Sequence, residues 1–187
     1  MSDDKRVLMI VRDDSRFQDL MLEEEVFVMQ AIVRSAGYSV DVVTVNDTPL
    51  TGEVTLEPDL PVADVDVLNY VGLLMPCMAP VPDPAITMPD HILPLITGAN
   101  DRGLPIAAMR GSVRELGRSG VLAGHRYSAA SDLELDDAEY AGTGVTRDAN
   151  LATAASCPAA AKYQNGPNET RELVETLVKM LAESATA

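Results

Sequence analysis

The sequence predicts an α/β sandwich, in which a mostly parallel sheet lies between layers of helices. Short apolar runs rich in β-branched residues alternate with segments whose apolar residues recur at helical spacing, as in consecutive β-α-β units. The length of 187 residues fits one domain, residues 1–187. A hydrophobic fraction of 47% and a charged fraction of 23% are typical of a globular chain.

The first β-α-β unit begins with the apolar run Arg-Val-Leu-Met-Ile-Val at 6–11, which has the composition of a buried parallel strand. Apolar residues at helical spacing from Leu22 to Val33 predict a helix that stops at Gly37. The next strand is predicted over 39–45, and a right-handed crossover should connect the two strands.

The middle of the chain continues this alternation. Residues 47–61 predict a loop with a short hairpin near Thr51, and Val-Gly-Leu-Leu-Met at 71–75 predicts a third strand that Pro76 stops. The proline-rich stretch 76–89 cannot be helical throughout.

The second half completes the predicted sandwich. A helix is expected within 90–102, beginning near Pro94, and a fourth strand over 104–109. Ser112 and Glu115 have the spacing of a capping box, which predicts a helix as far as Gly120. Further strands are predicted at 127–130, 144–146 and 151–154, and the last helix has Asn168 as its cap and an apolar stripe of Leu173, Val174, Leu177, Val178 and Leu181.

A parallel sheet binds ligands beyond the carboxyl ends of its strands, so the turns after Val11, Met75, Met109 and Ala154 are the places to look for a site. Cys77 directly follows one of these ends and Cys157 follows another, which predicts that both thiols lie on the same rim. Each is either a functional thiol, alone or as a redox pair, or a small buried apolar residue.

Charge and composition exclude several classes of partner. The net charge of −15 disfavours nucleic acid and anionic membranes, and five Tyr, two Phe and no Trp offer little surface for base stacking. Two cysteines and two histidines at unsuitable spacing predict no metal site, and the absence of a glycine-rich phosphate loop predicts no nucleotide cofactor. The N-terminus lacks a signal-peptide layout, so a cytoplasmic protein that acts on a small molecule is expected.

Three segments and one glutamate carry a family resemblance. The strand and turn Ile-Ala-Ala-Met-Arg-Gly at 106–111, Ser-Gly-Val-Leu-Ala-Gly at 119–124 and Asp-Ala-Asn-Leu-Ala-Thr at 148–153 resemble the DJ-1/PfpI family of the class I glutamine-amidotransferase-like superfamily. Glu25 has the family's spacing from Ala36-Gly37. The resemblance implies a flavodoxin-like three-layer sandwich, a homodimer, and a Glu25 carboxyl that points into the pocket.

The chain departs from the family pattern where the chemistry should occur. The resemblance places Met109 at the position of the nucleophilic cysteine, and a thioether cannot form a thiolate. Arg110 replaces the common histidine, and the loop that usually contributes oxyanion-binding N–H groups becomes Met-Pro-Cys-Met at 75–78. The usual Cys-His-Glu chemistry therefore cannot operate as written.

Other residues remain as candidates for a site. Glu25 is predicted to be a general acid or base if burial raises its pKa, the alternative being a solvated helical carboxylate. Arg110 and the following Gly111 begin a helix and are expected to hold an anionic ligand, unless Arg110 pairs with surface acids. Cys77 is the expected optional nucleophile, and Met109 and Cys157 are expected to line the pocket.

These residues predict an atypical enzyme that acts on a small polar or electrophilic metabolite. Its chemistry would be acid–base catalysis of the hydratase, lyase or isomerase type, without a cysteine at the elbow. The alternatives are a non-catalytic binding or scaffold protein, in which Met109 fills the space of the nucleophile, and a redox or stress sensor based on the cysteines.

Overall fold

The elements of the fold alternate between strands and helices along the chain. The computed structural model describes residues 5–79, 87–130 and 133–186. The strands are β1 (Arg6–Val11), β2 (Ser39–Thr44), β3 (Leu50–Thr51), β4 (Thr55–Leu56), β5 (Tyr70–Met75), β6 (Ile106–Met109), β7 (Arg126–Ser128), β8 (Glu139–Gly142), β9 (Val145–Asp148) and β10 (Leu151–Ala154). The helices are α1 (Gln18–Met21), α2 (Phe27–Ser35), α3 (Leu93–Asp101), α4 (Val113–Arg118), α5 (Pro158–Gln164) and α6 (Thr170–Ser184).

The main sheet has the order β2-β1-β5-β6-β10-β9. The first five of these strands are mutually parallel, and β9 is antiparallel to β10. In chain order the parallel strands are arranged 2-1-3-4-5, which is the flavodoxin-like order. This confirms the predicted α/β class and the mostly parallel sheet.

Each face of the sheet is covered by helices, because successive residues of a strand point to opposite faces. Val7 and Met9 of β1 belong to the core that α2 and α6 cover, through residues such as Val33 and Leu177. The intervening Leu8 belongs to a second core, which α3 and α4 cover on the other face. The result is the expected three-layer sandwich.

The structure confirms most of the predicted elements and corrects others. The predicted hairpin near Thr51 is present as the antiparallel pair β3–β4, whereas β8 and α5 were not predicted. The capping box is wrong: the Ser112 hydroxyl donates to the Pro76 carbonyl oxygen at 2.6 Å, and Glu115 accepts from Met88 N at 2.9 Å. Part of the predicted proline-rich loop, residues 80–86, lies outside the described residues.

Within the described ranges, no helix has the length and the apolar composition that crossing a membrane would require.

Candidate functional site

Glu25 lies in a π-helical turn, Leu22–Val26, that joins α1 to α2. Such turns are rare and frequently occur at functional sites. The side chain is 0% exposed, and its two carboxylate oxygens accept one backbone N–H each, from Cys77 at 3.1 Å and from Met78 at 3.0 Å. Burial raises its pKa well above the usual value, and the nearby Cys157 raises it further, against the lowering effect of these N–H groups. A neutral carboxyl group is therefore favoured at this position.

The loop after β5 folds tightly around this carboxylate. Met78 has a φ of +53° and Ala79 a φ of +42°, a backbone conformation that residues other than glycine adopt rarely. The loop is hydrogen-bonded to the turn after β6, because the Ser112 hydroxyl donates to the Pro76 carbonyl oxygen. These contacts fix Cys77, which is 1% exposed, at the carboxyl edge of the sheet.

Cys77 is held as a neutral thiol. Its sulfur accepts N–H groups from Ala79, at 3.3 Å, and from Gly111. Its pKa is nevertheless raised well above the usual value, first by the hydrogen bond to Cys157, then by burial and by the negative charges of Cys157 and Glu25. Cys77 is thus a proton donor within the site.

The loop after β10 is held in a similar way by a second buried glutamate. One oxygen of Glu169, Oε2, accepts the N–H groups of Ala155 at 2.9 Å and of Ser156 at 2.8 Å. Glu169 is 5% exposed. Cys157, which directly follows Ser156, is 1% exposed and precedes the first turn of α5.

Cys157 is the acidic member of the thiol pair. Its pKa is lowered from 9.0 to about 7, mainly by the hydrogen bond from Cys77, although burial acts in the opposite direction. The N–H groups of Ala160 and Ala159 and the positive charge of Arg110 lower it further. The lowered pKa of Cys157 and the raised pKa of Cys77 mean that Cys157 is the first of the two thiols to ionise.

The turn after β6 differs from the expectation of the resemblance by one residue. In a nucleophile elbow, the nucleophile occupies the strained residue of the turn between strand and helix, and the next N–H lines the oxyanion hole. Met109 is still extended, with a φ of −100°, whereas Arg110 has a φ of +39°. Arg110 rather than Met109 is thus the turn residue, and the following N–H, that of Gly111, donates to the sulfur of Cys77.

Arg110 reaches across the turn towards the β10 loop. Its Nη1 donates to the Ala155 carbonyl oxygen at 3.0 Å and its Nη2 to Gln164 Oε1 at 3.1 Å. These polar contacts differ from the surface pairing with acids that was the alternative prediction. The guanidinium is half-buried and acts on Cys157 through its charge.

The structure brings five of the six predicted residues together at one rim through direct contacts or charge: Glu25, Cys77, Arg110, Gly111 and Cys157. Met109 lies at the same edge, but its side chain is 0% exposed and belongs to the apolar core.

Sequence reasoning missed Glu169, which positions the Cys157 loop. A signal was present, because an acidic residue follows the predicted cap Asn168 at the start of the last helix. Asn168 does accept the N–H of Thr170, at 3.1 Å.

Sequence reasoning also missed a buried ionic cluster beneath the elbow. Glu115 of α4 is 0% exposed; its Oε1 lies 3.6 Å from the Arg12 guanidinium and its Oε2 lies 2.5 Å from Arg118. Arg12, which follows β1, also donates to both oxygens of Asp14. Because breaking such a buried pair is costly, this cluster fixes α4 beneath the turn.

A separate cleft of about 460 Å³ opens at the opposite, amino-terminal edge of the sheet. Its lining includes Lys5, Tyr38, Tyr70, Arg102 and Leu181, and none of the predicted site residues. The described residues contain no group of three or more His, Cys, Asp and Glu side chains that could hold a metal ion.

Residues 5–166 match the DJ-1/PfpI family, and the chain belongs to that family. Its fold is similar to that of a ThiJ/PfpI domain protein from Brachyspira murdochii, with a TM-score of 0.75 and 18% identity over 95% of this chain and 96% of the other. Drosophila melanogaster DJ-1beta has a TM-score of 0.63 and 20% identity, with 98% of each chain covered. A putative transcriptional regulator from Vibrio parahaemolyticus has a TM-score of 0.67 and 15% identity, over 97% of this chain and 98% of the other. No curated protein matches the sequence.

Proposed function

We propose that this protein is an atypical DJ-1/PfpI enzyme that acts on a small electrophilic carbonyl metabolite by acid–base chemistry of the hydratase, lyase or isomerase type. The observation that carries the proposal is the convergence of an acidic thiol, Cys157, a neutral thiol, Cys77, and a buried carboxyl group, Glu25, at the rim where this fold binds ligands.

Cys157 replaces Cys77 as the preferred nucleophile. Only the thiolate form attacks an electrophile, and a pKa of about 7 leaves a large thiolate fraction at neutral pH. The raised pKa of Cys77 keeps that sulfur protonated, so Cys77 serves as the hydrogen-bond donor that makes its neighbour acidic.

Glu25 is assigned the proton transfers. When a thiolate adds to a carbonyl carbon, the carbonyl oxygen gains negative charge and needs a proton, and a neutral buried carboxyl group is suited to supply it. The ionised carboxylate can then remove the C–H proton of the adduct when a second carbonyl group adjoins that carbon. Return of the proton to the neighbouring carbon gives a thioester at Cys157, which water hydrolyses to a 2-hydroxy acid and the free thiol. Because the pKa of Glu25 is raised, its protonated form is populated nearer to neutral pH, where the group can both donate and accept a proton.

Arg110 gives the site a preference for anionic substrates. Its charge already favours the Cys157 thiolate, and it follows β6 at the carboxyl edge of the sheet. A guanidinium at this place also attracts a carboxylate on the substrate. The ligand is accordingly proposed to be a small carbonyl acid, and the homodimer implied by the resemblance remains a prediction.

One observation favours a second candidate, a non-catalytic binding protein. Cys77 and Cys157 are each 1% exposed and Met109 is 0% exposed, which is the filled arrangement expected of a protein that has lost turnover.

The proposal is tested with two small 2-oxo aldehydes that differ in charge, 4,5-dioxopentanoate and methylglyoxal, in the presence of a phosphine reductant. NMR should show enzyme-dependent conversion to the 2-hydroxy acids, with a higher kcat/KM for the anionic 4,5-dioxopentanoate. Cys157→Ser should abolish conversion, and Glu25→Gln should lower kcat by about 100-fold, which is the usual contribution of a positioned acid or base.

Glu24→Gln is the matched control, because Glu24 is the exposed neighbour of Glu25 on the same turn, and it should retain the wild-type rate. Wild-type turnover by Glu25→Gln would contradict the assignment of this carboxyl group. Saturable binding of 4,5-dioxopentanoate without turnover would favour the non-catalytic candidate.

A further inference from the structure

We propose that Cys77 and Cys157 form a reversible disulfide when a small peroxide reaches them, so that the protein carries a two-cysteine redox centre in addition to its proposed enzymatic site. The inference shares the Cys157 thiolate with the proposed function, but it requires no turnover of a metabolite.

The geometry brings the only two thiols of the chain together. The sequence contains two cysteines, both are free, and both lie in the same buried core cluster, where each sulfur has the largest effect on the pKa of the other. Each follows the carboxyl end of a parallel strand, β5 or β10, with β6 between them. Neighbouring thiols need only a short approach to reach the S–S bond length of about 2.05 Å.

The backbone on both sides is built to hold this pair. Glu25 binds the N–H of Cys77, and Glu169 binds the two N–H groups immediately before Cys157. Neither loop can swing away without leaving buried N–H groups unpaired, which costs about 1–3 kcal/mol for each group. The two sulfurs are therefore kept next to each other.

The two cysteines have different surroundings, and these assign the order of the steps. Cys157 lies at the first turn of α5, near the positive charge of Arg110, and therefore supplies the attacking thiolate. Cys77 retains its proton beside the carboxyl group of Glu25 and therefore supplies the second, resolving thiol.

The reaction balances in two steps. The Cys157 sulfur attacks one oxygen of hydrogen peroxide; the S–O bond forms, the O–O bond breaks, and hydroxide leaves and is protonated to water. Cys157 is oxidised to a sulfenic acid and the peroxide is reduced. The Cys77 sulfur then attacks the Cys157 sulfur; the S–S bond forms, the S–O bond breaks, and the leaving hydroxide takes the Cys77 proton as a second water. An external dithiol reductant restores both thiols by exchange.

Burial limits which oxidant can react. Both cysteines are 1% exposed, so the small oxidant hydrogen peroxide is favoured over a bulky organic hydroperoxide. The same burial excludes large disulfides from attack at Cys157, and so the intramolecular bond is the favoured product.

The test treats the reduced full-length protein, freed of reductant, with one equivalent of hydrogen peroxide. Intact-mass spectrometry should show that the protein has lost the mass of two hydrogen atoms. A free-thiol assay on the denatured protein should find no free thiol after peroxide and two free thiols after dithiothreitol. Peptide mapping should identify a Cys77–Cys157 cross-link. Cumene hydroperoxide at the same concentration should react at least about tenfold more slowly, because the thiols are buried.

Single variants test the order of the steps. Cys77→Ser should stop at the Cys157 sulfenic acid, which dimedone traps, because no resolving thiol remains. Cys157→Ser should form neither a disulfide nor a dimedone adduct at the same peroxide dose. Circular dichroism checks that both variants remain folded, and the wild-type mass change stands independently of them.

Independent gains of oxygen mass at the two cysteines, or two thiols that persist after peroxide treatment, would overturn the redox centre. If the disulfide forms but neither aldehyde is converted, the proposed enzymatic function fails while the redox centre stands. If aldehydes are converted and no disulfide forms, the opposite holds.

Discussion

Two loops at the carboxyl edge of the sheet, after β5 and after β10, each lead to a cysteine and are each held by a buried glutamate. Glu25 accepts one backbone N–H on each of its oxygens, whereas Glu169 accepts both of its N–H groups on a single oxygen. The charge of Glu25 raises the pKa of Cys77, and the pKa of Glu25 is in turn raised by the charge of Cys157. A buried glutamate thus positions the backbone in both loops, but only Glu25 also changes the pKa of the cysteine in its loop.

The two cysteines differ because of what surrounds each sulfur. Cys157 receives N–H groups from the first turn of α5 and the positive field of Arg110, whereas Cys77 lies beside Glu25. Burial is the same for both, at 1% exposed, so burial alone does not decide which sulfur ionises. Local dipoles and charges decide it.

The largest effect should come from replacing each glutamate with glutamine. In Glu25→Gln, the amide nitrogen would face one of the two buried N–H donors, so the free energy of unfolding should fall by about 2–3 kcal/mol. In Glu169→Gln, the single amide oxygen can still accept both N–H groups, and the loss should be about 1 kcal/mol. Urea denaturation measures both values, and equal losses would contradict the difference in geometry between the two loops.

Much of this rim could be predicted from the sequence, because apolar runs mark buried parallel strands and their carboxyl ends meet at one edge. Cys77 and Cys157 are accordingly predicted to lie on a common rim, and β1 and β10 have the predicted bounds. The resemblance supplied Glu25, whose inward direction follows from the register of the helix.

The ionisation of the two thiols could not be predicted in the same way. It depends on α5, whose seven residues include three consecutive alanines and show no helical periodicity of apolar residues. The sequence motif, aligned on Gly111, predicts the elbow at Met109, one residue before the strained turn residue Arg110. The positive φ of Arg110 is a property of the folded turn and leaves no mark in the residue type.

The pH dependence of stability should separate the two loops. Cys157 loses its proton near pH 7 in the folded state and near its ordinary value of 9.0 when unfolded, so the unfolded chain binds more protons between these values. Its stabilisation is therefore complete above pH 9 and is lost as the pH falls towards 7, by about 2 kcal/mol. Cys77 and Glu25, whose pKa values are raised, act in the opposite sense: their contributions to stability are lost as the pH rises.

The measurement is the free energy of unfolding of the wild type minus that of Cys157→Ser, determined by urea denaturation across this pH range. The difference should grow from pH 7 to pH 9. In Cys77→Ser the growth should be smaller, because the largest cause of the low pKa of Cys157 is the hydrogen bond from Cys77. A difference that does not change with pH would show that Cys157 is an ordinary thiol in the folded protein.

The smallest effect concerns Arg110, which contacts the β10 loop from the turn after β6. Arg110→Gly and Arg110→Ala both remove the contacts to Ala155 and Gln164, so both should raise the pKa of Cys157 by the same amount. They differ only in the backbone: a φ of +39° is unstrained for glycine and costs alanine about 1 kcal/mol. Urea denaturation should therefore find Arg110→Gly more stable by that amount, while thiolate absorbance titrations of the two variants coincide. Equal stabilities would mean that the turn relaxes once the guanidinium is removed, and the strained elbow would then be a consequence of the contacts of Arg110 rather than of the fold.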